Sequence, residues 1–355
     1  MHFGEALDDQ TYRRMITAAF EAGIRTFVTA DVYGLGRADS ALGEALEGIP
    51  RDAYSLVGLI GHDFVKGTRQ GSSGYPRFTS PDLRTADGYR DYLEAATTAS
   101  LERCRSPHFD VLMLHNPDEI GFTSDAVWDA MRHLRDQGLA SSLGIAPGPA
   151  NGFTLDIVHC FEHFEEVVDW AMIILNPNEP WPGSLALAAA SKHKVDILAR
   201  VVDYGGVFWD DVKPGHFFKP GDHRTYRPTG WVEEGCRRLE QMRPIATRHG
   251  LTPLQLACAW CLSQAPVRSV VPTIIQEAGD EARPYKGKIE ELAGLPDARL
   301  TTDEIAEIAR IGDNTGCMTL KGASGRHQSS ERPDEWPMRP DLLDVARRHG
   351  LGTDW

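Results

Sequence analysis

Short apolar runs alternate with segments of helical periodicity along most of the chain. Seven runs are almost continuously apolar and end at turn residues, which is typical of parallel strands buried on both faces. They cover residues 26–31, 54–61, 109–116, 142–147, 172–177, 195–202 and 269–274. Strands that alternate strictly with helices predict an α/β fold built on a parallel sheet.

The segments between the runs predict amphipathic helices. The segment from Asp8 to Gly23 combines apolar residues at helical spacing with an acidic N-cap and a C-terminal glycine. The segment that ends at Gly138 has the same pattern, with Ser124 as its N-cap. Further helices are predicted over residues 85–104, 183–194, 230–250, 254–264, 301–313 and 341–350. Pro244 is expected to break the 230–250 helix in two.

A (β/α)8 TIM barrel is the architecture that this alternation favours. The competing fold, a doubly wound open sheet, is typically marked by a Gly-rich G-x-G-x-x-G turn, and no predicted strand leads into one. Only residues 1–4 can supply the eighth strand, so the first strand is expected to be truncated. We predict a barrel over residues 1–315 and a C-terminal tail over 316–355 that packs on the barrel or forms a subunit contact.

Two connections are much longer than usual and leave the carboxyl ends of predicted strands, where barrel enzymes keep their active sites. They cover residues 62–84 and 203–230. The second is rich in rings: Tyr204, Phe208, Trp209, His216, Phe217, Phe218, His223 and Tyr226. This pattern predicts a lid or substrate wall, and simple packing of a long loop is the alternative.

Composition narrows the range of partners. The 355 residues carry a formal net charge of −14 without a Lys/Arg-rich block, which argues against nucleic acid and anionic membranes as partners. No apolar run is long enough to span a membrane, and the first residues do not form a signal peptide, so a cytoplasmic location is expected. A small-molecule substrate is the expected partner, with homo-oligomer formation left open.

Neither cysteine nor histidine spacing predicts a metal site. Cys258 and Cys261 form a C-x-x-C, but they lie in an apolar helical segment without a second pair, so we interpret them as buried thiols. The histidines lack H-x-H or H-E-x-x-H spacing. The candidate ligands for a metal would be residues scattered along the chain: His62, Asp63, His115, His216 and His223.

Four stretches resemble the aldo-keto reductases in the family's order and spacing. They are AAFEAGIRTFVTADVYGLGRADSALGEAL, SLERCRSPHFDVLMLHNPD, AMRHLRDQGLASSLGIAP and GLTPLQLACAWCLSQAPVRSVVPT. The resemblance implies a barrel that reduces carbonyl compounds with a nicotinamide cofactor and a catalytic tetrad of Asp, Tyr, Lys and His. Tyr33 and His115 match the family's Tyr and His. A nearby cation and a hydrogen-bonding His would make the phenol a better proton donor.

The other two members of the tetrad are missing. Val28 stands at the position of the Asp, five residues before Tyr33, and Leu59 stands at the position of the Lys. Losing both together is physically coherent, because either one alone would be an unpaired buried charge. The resemblance therefore implies a divergent, rewired site.

Positions that hold the cofactor in the family also differ. Ala146-Pro147 replaces its Ser-Asn, Met172 its Gln, Arg200 its stacking aromatic, Pro272-Thr273 its Pro-Gly, and Leu292 its adenine-side Asn. Residues left to bind a cofactor are Arg200, Pro272, Thr273, Lys288 and Glu291. NADP is the cofactor that the resemblance implies, and a chain without a cofactor is an equal alternative.

Polar residues at the strand ends complete the predicted site. The candidates for substrate binding are Asp31, His62, Asn116, Asn176, Trp181, Arg200, Asp203 and Trp209, with Tyr33 and His115 as catalytic acid and base. The first hypothesis is an NADP-dependent enzyme that acts on a small carbonyl or sugar/polyol-type compound through a modified tetrad. A redox-neutral lyase, isomerase or dehydratase is the second, and a non-catalytic ligand-binding or subunit role is the third.

Overall fold

The computed structural model describes residues 3–70, 74–148, 154–227, 229–279, 281–314 and 340–351. The chain forms two compact units. The first unit comprises residues 8–148 and 156–172, and the second comprises residues 1–7, 149–155 and 173–355. No helix in these described ranges is both long and apolar enough to cross a membrane.

Strands and helices alternate through the first unit. Its elements are α1 (Asp9–Glu21), β1 (Thr26–Ala30), α2 (Arg37–Ala45), β2 (Ser55–Ile60), α3 (Tyr89–Cys104), β3 (Phe109–His115), α4 (Glu119–Thr123), α5 (Asp125–Asp136), β4 (Ala140–Ala146), most of α6 (Thr154–His163) and the start of β5 (Trp170–Ile174). Each strand pairs in parallel with the next one along the chain.

The second unit continues the alternation after the end of β5. Its elements are α7 (Leu185–Lys192), β6 (Asp196–Arg200), α8 (Trp231–Arg248), α9 (Pro253–Leu262), β7 (Val267–Val271), α10 (Tyr285–Ala293), α11 (Thr302–Ile311) and α12 (Pro340–Arg348). Strands β6 and β7 are parallel.

Local sequence explains where these elements begin and end. Asp8 caps α1 by accepting a hydrogen bond from the Thr11 backbone N–H at 2.7 Å, as predicted. Thr252 and Thr301 form capping boxes at the starts of α9 and α11. All seven predicted strands are confirmed with small shifts in their bounds.

The fold is α/β, with the strand order and helix alternation of a (β/α)8 barrel. Strands β1 to β7 lie in chain order. The predicted first strand falls partly outside the described residues, and residues 3–5 form bends. Here the Glu5 N–H donates to the Gln276 carbonyl at 2.8 Å. Gly4 is required beside it, because an added Cβ would lie 2.2 Å from that oxygen.

The expectation that Pro244 breaks a helix is wrong. Helix α8 runs without interruption from Trp231 to Arg248, with Pro244 inside it. Proline cannot donate to the carbonyl four residues earlier, which costs one hydrogen bond. Leu239, Met242 and Ile245 are buried on both sides of it, so tertiary packing holds the helix together.

The predictions for the cysteine pair and the last helix are confirmed. Cys258 and Cys261 lie fully buried in α9 as free thiols, and burial raises the pKa of both. The segment predicted over 341–350 forms α12. Most of the predicted tail, residues 315–339, lies outside the described residues, so the division into a barrel and a packed tail stays a prediction.

Candidate active site

Tyr33 and His115 meet at the carboxyl ends of two strands in the first unit. Tyr33 follows β1, and His115 is the last residue of β3. The two rings make an edge-on contact, with centroids 5.6 Å apart and planes at 88°. Tyr33 is 48% exposed and His115 is 4% exposed. A substrate can therefore reach the phenol, while the imidazole is sheltered behind it.

His62, two residues after β2, extends this pair. Its ring centroid lies 4.9 Å from that of His115, and its side chain is buried. The Arg77 Nη1 atom lies 3.1 Å from His62 Nδ1. A guanidinium has only donors, so Nδ1 acts as the acceptor and carries no proton. The Tyr75 carbonyl, near the same nitrogen, accepts from Arg77 itself at 2.9 Å.

His62 is consequently a neutral imidazole. Burial, reinforced by the Arg77 guanidinium, lowers the pKa of His62 to about 3. Its remaining proton sits on Nε2, which lies 3.2 Å from the Asn116 amide. We assign the amide so that its oxygen accepts this proton, since amide orientation is set by the hydrogen-bond network. The amide nitrogen of Asn116 then points away from His62.

Arg77 belongs to the long connection after β2, which folds back onto the strand ends. It donates from Nε to the backbone carbonyl of Asn116. The Phe78 N–H donates to the Gly61 carbonyl at 2.9 Å, and His62 pairs with Arg77 in a short antiparallel bridge. Arg77 was not among the residues predicted from the sequence, where its position in a long loop after a strand end was the one available signal.

Val28 and Leu59, which the resemblance places at the positions of the family's Asp and Lys, lie on neighbouring strands. Val28 is in register with Val57, and Ala30 is in register with Leu59. Since side chains alternate along a strand, Val28 and Leu59 share one face of the β1–β2 pair. Both side chains are apolar, and their match to the family's Asp and Lys stays a prediction from the resemblance.

Asp31 directly follows β1. It is 2% exposed, and neither carboxyl oxygen has a hydrogen-bond partner among the described residues. Its charged neighbours are Asp39 of α2, Arg103 of α3 and Asp63. Burial, with a further contribution from Asp39, raises the pKa of Asp31 to about 8. Asp31 is therefore mostly protonated at neutral pH, and its role in substrate binding stays a prediction.

The neighbouring buried carboxylates each have a cation. Arg103 contacts Asp39 at 2.9 Å, and the Thr29 and Ser100 hydroxyls donate to the same carboxylate. Arg84 makes an ion pair with Asp63. Asp31 differs from both because no arginine pairs with it among the described residues. The lack of a paired arginine is consistent with the raised pKa of Asp31.

The nicotinamide seat that the resemblance implies is apolar here. Ala146 ends β4 with 1% exposure, and Met172 in β5 is 4% exposed. Neither side chain offers a hydrogen-bond donor or a strong acceptor, and Pro147 between them in sequence has no N–H. A carboxamide needs partners for both its oxygen and its amino group. The residues present do not fit the way in which the family holds that group.

In the second unit, Asn176 and Trp181 are bound into the backbone. The Asn176 side chain accepts from the N–H groups of Asn178 and Glu179, both at 2.9 Å, and donates to the Val201 carbonyl at 3.0 Å. The Trp181 backbone N–H donates to Asn314 at 2.9 Å. Both residues are buried, and their predicted role in substrate binding stays a prediction.

The structure brings Asp203, Trp209 and Thr273 together. One Asp203 oxygen accepts from the Thr273 N–H at 2.9 Å, and the Trp209 indole donates to the Thr273 carbonyl at 2.9 Å. Burial raises the pKa of Asp203. Pro272 is buried beside them in sequence, and Arg200 ends β6 half-buried. The long loop after β6 is thus fastened to the segment after β7.

Lys288 and Glu291 of α10 are occupied by other residues of the chain. The fully buried Lys288 ammonium lies 2.6 Å from an Asp211 oxygen and donates to the Ile275 carbonyl at 2.5 Å. Glu291 accepts from Arg283 and Thr252, both at 2.5 Å. A cofactor phosphate at Lys288 would compete with Asp211.

Several rings of the long loop after β6 are buried. Tyr204, Phe208 and Trp209 are at most 1% exposed, which supports simple packing for these three rings. Phe217 is 74% exposed. Sequence analysis also missed a buried cluster in this loop: Arg224 lies between Asp222, at 2.7 Å, and Glu277, at 2.5 Å.

Comparisons with known proteins agree with this architecture. The glycerol dehydrogenase of Gluconobacter oxydans superposes with a TM-score of 0.67 at 21% identity, covering 87% of this chain and 86% of that one. An aldo/keto reductase of Klebsiella pneumoniae in complex with NADP and acetate gives 0.59 at 16% identity, with coverage of 87% and 90%. These likenesses support the barrel fold.

Sequence comparison points the same way. A putative voltage-gated potassium channel subunit beta of Schizosaccharomyces pombe (strain 972) is 25% identical over 284 residues, which is 75% of this chain and 76% of that protein. A probable subunit of the same kind from Arabidopsis thaliana is 25% identical over 291 residues, covering 78% and 81%. The profile of the Aldo/keto reductase family matches residues 1–312. This chain belongs to the aldo/keto reductase family.

Proposed function

We propose that this family member is an enzyme that transfers a proton at the oxygen of a small carbonyl or polyol compound. Tyr33 is the proton donor and acceptor, and His115 is its partner. The observation that carries the proposal is the contact between the exposed Tyr33 phenol and the buried His115 imidazole at the ends of two strands. A phenol has an ordinary pKa near 10, so it needs such a partner to act at neutral pH.

Family membership supports oxidoreduction as the reaction class. NADP(H) would supply the hydride in that reaction, while Tyr33 supplies the proton. A polyol or its carbonyl product is the substrate class that we favour, and the structural likeness to a glycerol dehydrogenase is in line with it.

A redox-neutral lyase, isomerase or dehydratase reaction is the second candidate. The apolar Ala146, Pro147 and Met172 positions favour it, because they offer no hydrogen bonds to a carboxamide. Tyr33 and His115 would carry out the same proton transfer there. The two candidates share the acid–base pair and differ only in the need for a nucleotide.

A titration with NADPH and NADH separates the two candidates. A ligand present at 100 times its Kd stabilises the native state by about 2.7 kcal/mol, which raises the thermal midpoint measurably. Oxidoreduction predicts saturable binding, followed by nucleotide fluorescence and by the midpoint. Redox-neutral chemistry predicts an unchanged midpoint up to about 1 mM nucleotide.

The proposal itself is tested by turnover. Small aldehydes, ketones, sugars and polyols are incubated with the purified chain, with and without nucleotide, and the products are followed by NMR. We expect turnover of at least one of these compounds by the wild type and loss of that turnover in Tyr33→Phe. A compound converted equally well by both proteins would contradict the proposal.

A further inference from the structure

Most half-buried or buried arginines of the first unit face a carboxylate. Arg84 pairs with Asp63, Arg103 with Asp39 at 2.9 Å, and Arg51 with Asp110 at 2.6 Å. Arg77 is the exception, since no carboxylate of the described residues forms an ion pair with it. All its contacts are neutral: the carbonyls of Asn116 and Tyr75, and His62 Nδ1.

A half-buried guanidinium without a counter-ion is costly, because desolvation of a charge is repaid only by a partner. Burial lowers the pKa of Arg77 to about 10, so the group stays cationic at neutral pH. Asp118 is the nearest carboxylate in electrostatic terms, but its oxygens accept from Thr79 and from the Gly121 N–H. The positive charge of Arg77 therefore lacks a direct counter-ion within the described chain.

Two hydrogen-bond donors near His62 have no acceptor among the described residues. Arg77 Nη2 has no acceptor among the described residues, whereas Nε and Nη1 are used. The Asn116 amide, oriented with its oxygen toward His62, leaves its amino group at the buried position that has no partner. A planar guanidinium and an adjacent amide N–H are suited to a carboxylate or a phosphate.

We propose that Arg77 and Asn116 form a subsite for an anionic group of the substrate, a carboxylate or a phosphate. The inference rests on the proposed function, because it assumes that the substrate reacts at Tyr33. His62 lies between this subsite and the Tyr33–His115 pair, because its Nδ1 contacts Arg77 and its ring contacts His115. The substrate class is thus narrowed to carbonyl or polyol compounds that carry an acidic group.

The competing role for Arg77 is purely structural, fastening the loop after β2 to the end of β3. A purely structural arginine would not bind added anions saturably. A substrate subsite binds a free anion saturably, and the anion screens the field of Arg77 at His62. The imidazole of His62 therefore reports on the subsite without any need for turnover.

The experiment is an NMR titration of imidazole-labelled protein with inorganic phosphate and with acetate, against chloride at constant ionic strength. We expect saturable shifts of the His62 resonances at neutral pH, where both anions are ionised. Arg77→Gln should weaken binding by about 10-fold or more, and Arg77→Lys should weaken it less. Arg69→Gln removes an exposed cation of the same loop and should leave binding unchanged.

Absence of saturable shifts with either anion up to about 100 mM in the wild type would overturn the inference, and this outcome does not depend on a variant that folds. Binding that survives Arg77→Gln in a folded protein would also overturn it. Tyr33→Phe should bind phosphate like the wild type. Anion binding together with a failed turnover test would therefore reject the proposed function and leave the subsite standing. A preference between phosphate and acetate identifies the acidic group.

Discussion

Replacing Tyr33 by Phe is expected to lower turnover by about 100-fold or more, as is replacing His115 by Ala. Phe keeps the ring and its edge-on contact with His115 but removes the only exchangeable proton of the side chain. His115→Ala leaves the phenol in place and removes its partner. A loss of 100-fold corresponds to about 2.7 kcal/mol of transition-state stabilisation.

Tyr12→Phe is the matched control for the phenol. Tyr12 lies on α1 in the same unit and is 39% exposed, so it resembles Tyr33 in exposure but not in place. Its turnover should equal that of the wild type. Wild-type turnover in both Tyr33→Phe and His115→Ala, with folding intact, would refute an acid–base role for the pair.

The stability of the wild type is expected to fall between pH 6 and pH 8, and Asp31→Asn should remove that part of the fall. The pKa of Asp31 is about 8 in the folded chain and about 3.8 when unfolded. Because the folded state holds the proton more tightly, this contribution is complete below pH 3.8 and is lost as the pH rises through 8. Between pH 6 and pH 8, the free energy of unfolding of the wild type should fall by about 2 kcal/mol more than that of Asp31→Asn.

Denaturant unfolding of the wild type and Asp31→Asn at several pH values measures this slope. Asp52→Asn, which alters an exposed carboxylate, serves as the control and should keep the wild-type slope. Parallel pH profiles for the wild type and Asp31→Asn would mean that Asp31 is ionised in the folded protein. The proposal that Asp31 keeps its proton because no arginine pairs with it would then be wrong.

Apolar runs and helical periodicity were sufficient to predict the strands and most helices. They work because a parallel strand buried on both faces has to be apolar, whatever its neighbours are. The pattern failed at Pro244, where packing on both sides outweighs the loss of one hydrogen bond. It also left α2, α4, α6 and α10 unassigned.

Only those residues of the site that lie at the ends of strands could be predicted from the sequence. Tyr33, His62 and His115 lie at the carboxyl ends of β1, β2 and β3, and the structure brings their rings together. Arg77 arrives from a loop whose path no local pattern specifies. The proton on Asp31 depends on which arginines pair with its neighbours, which is a property of the folded unit and not of the local sequence.

The most direct test of the central claim, that Tyr33 and His115 act as one acid–base pair, is the turnover of the double variant Tyr33→Phe/His115→Ala. When two residues act as a unit, removing either one removes the contribution of both, so a second substitution has little further effect. We predict that the double variant is about as active as the slower of the two single variants. Losses that multiply, to about 10,000-fold for two 100-fold effects, would mean that the two residues work independently and would contradict the account.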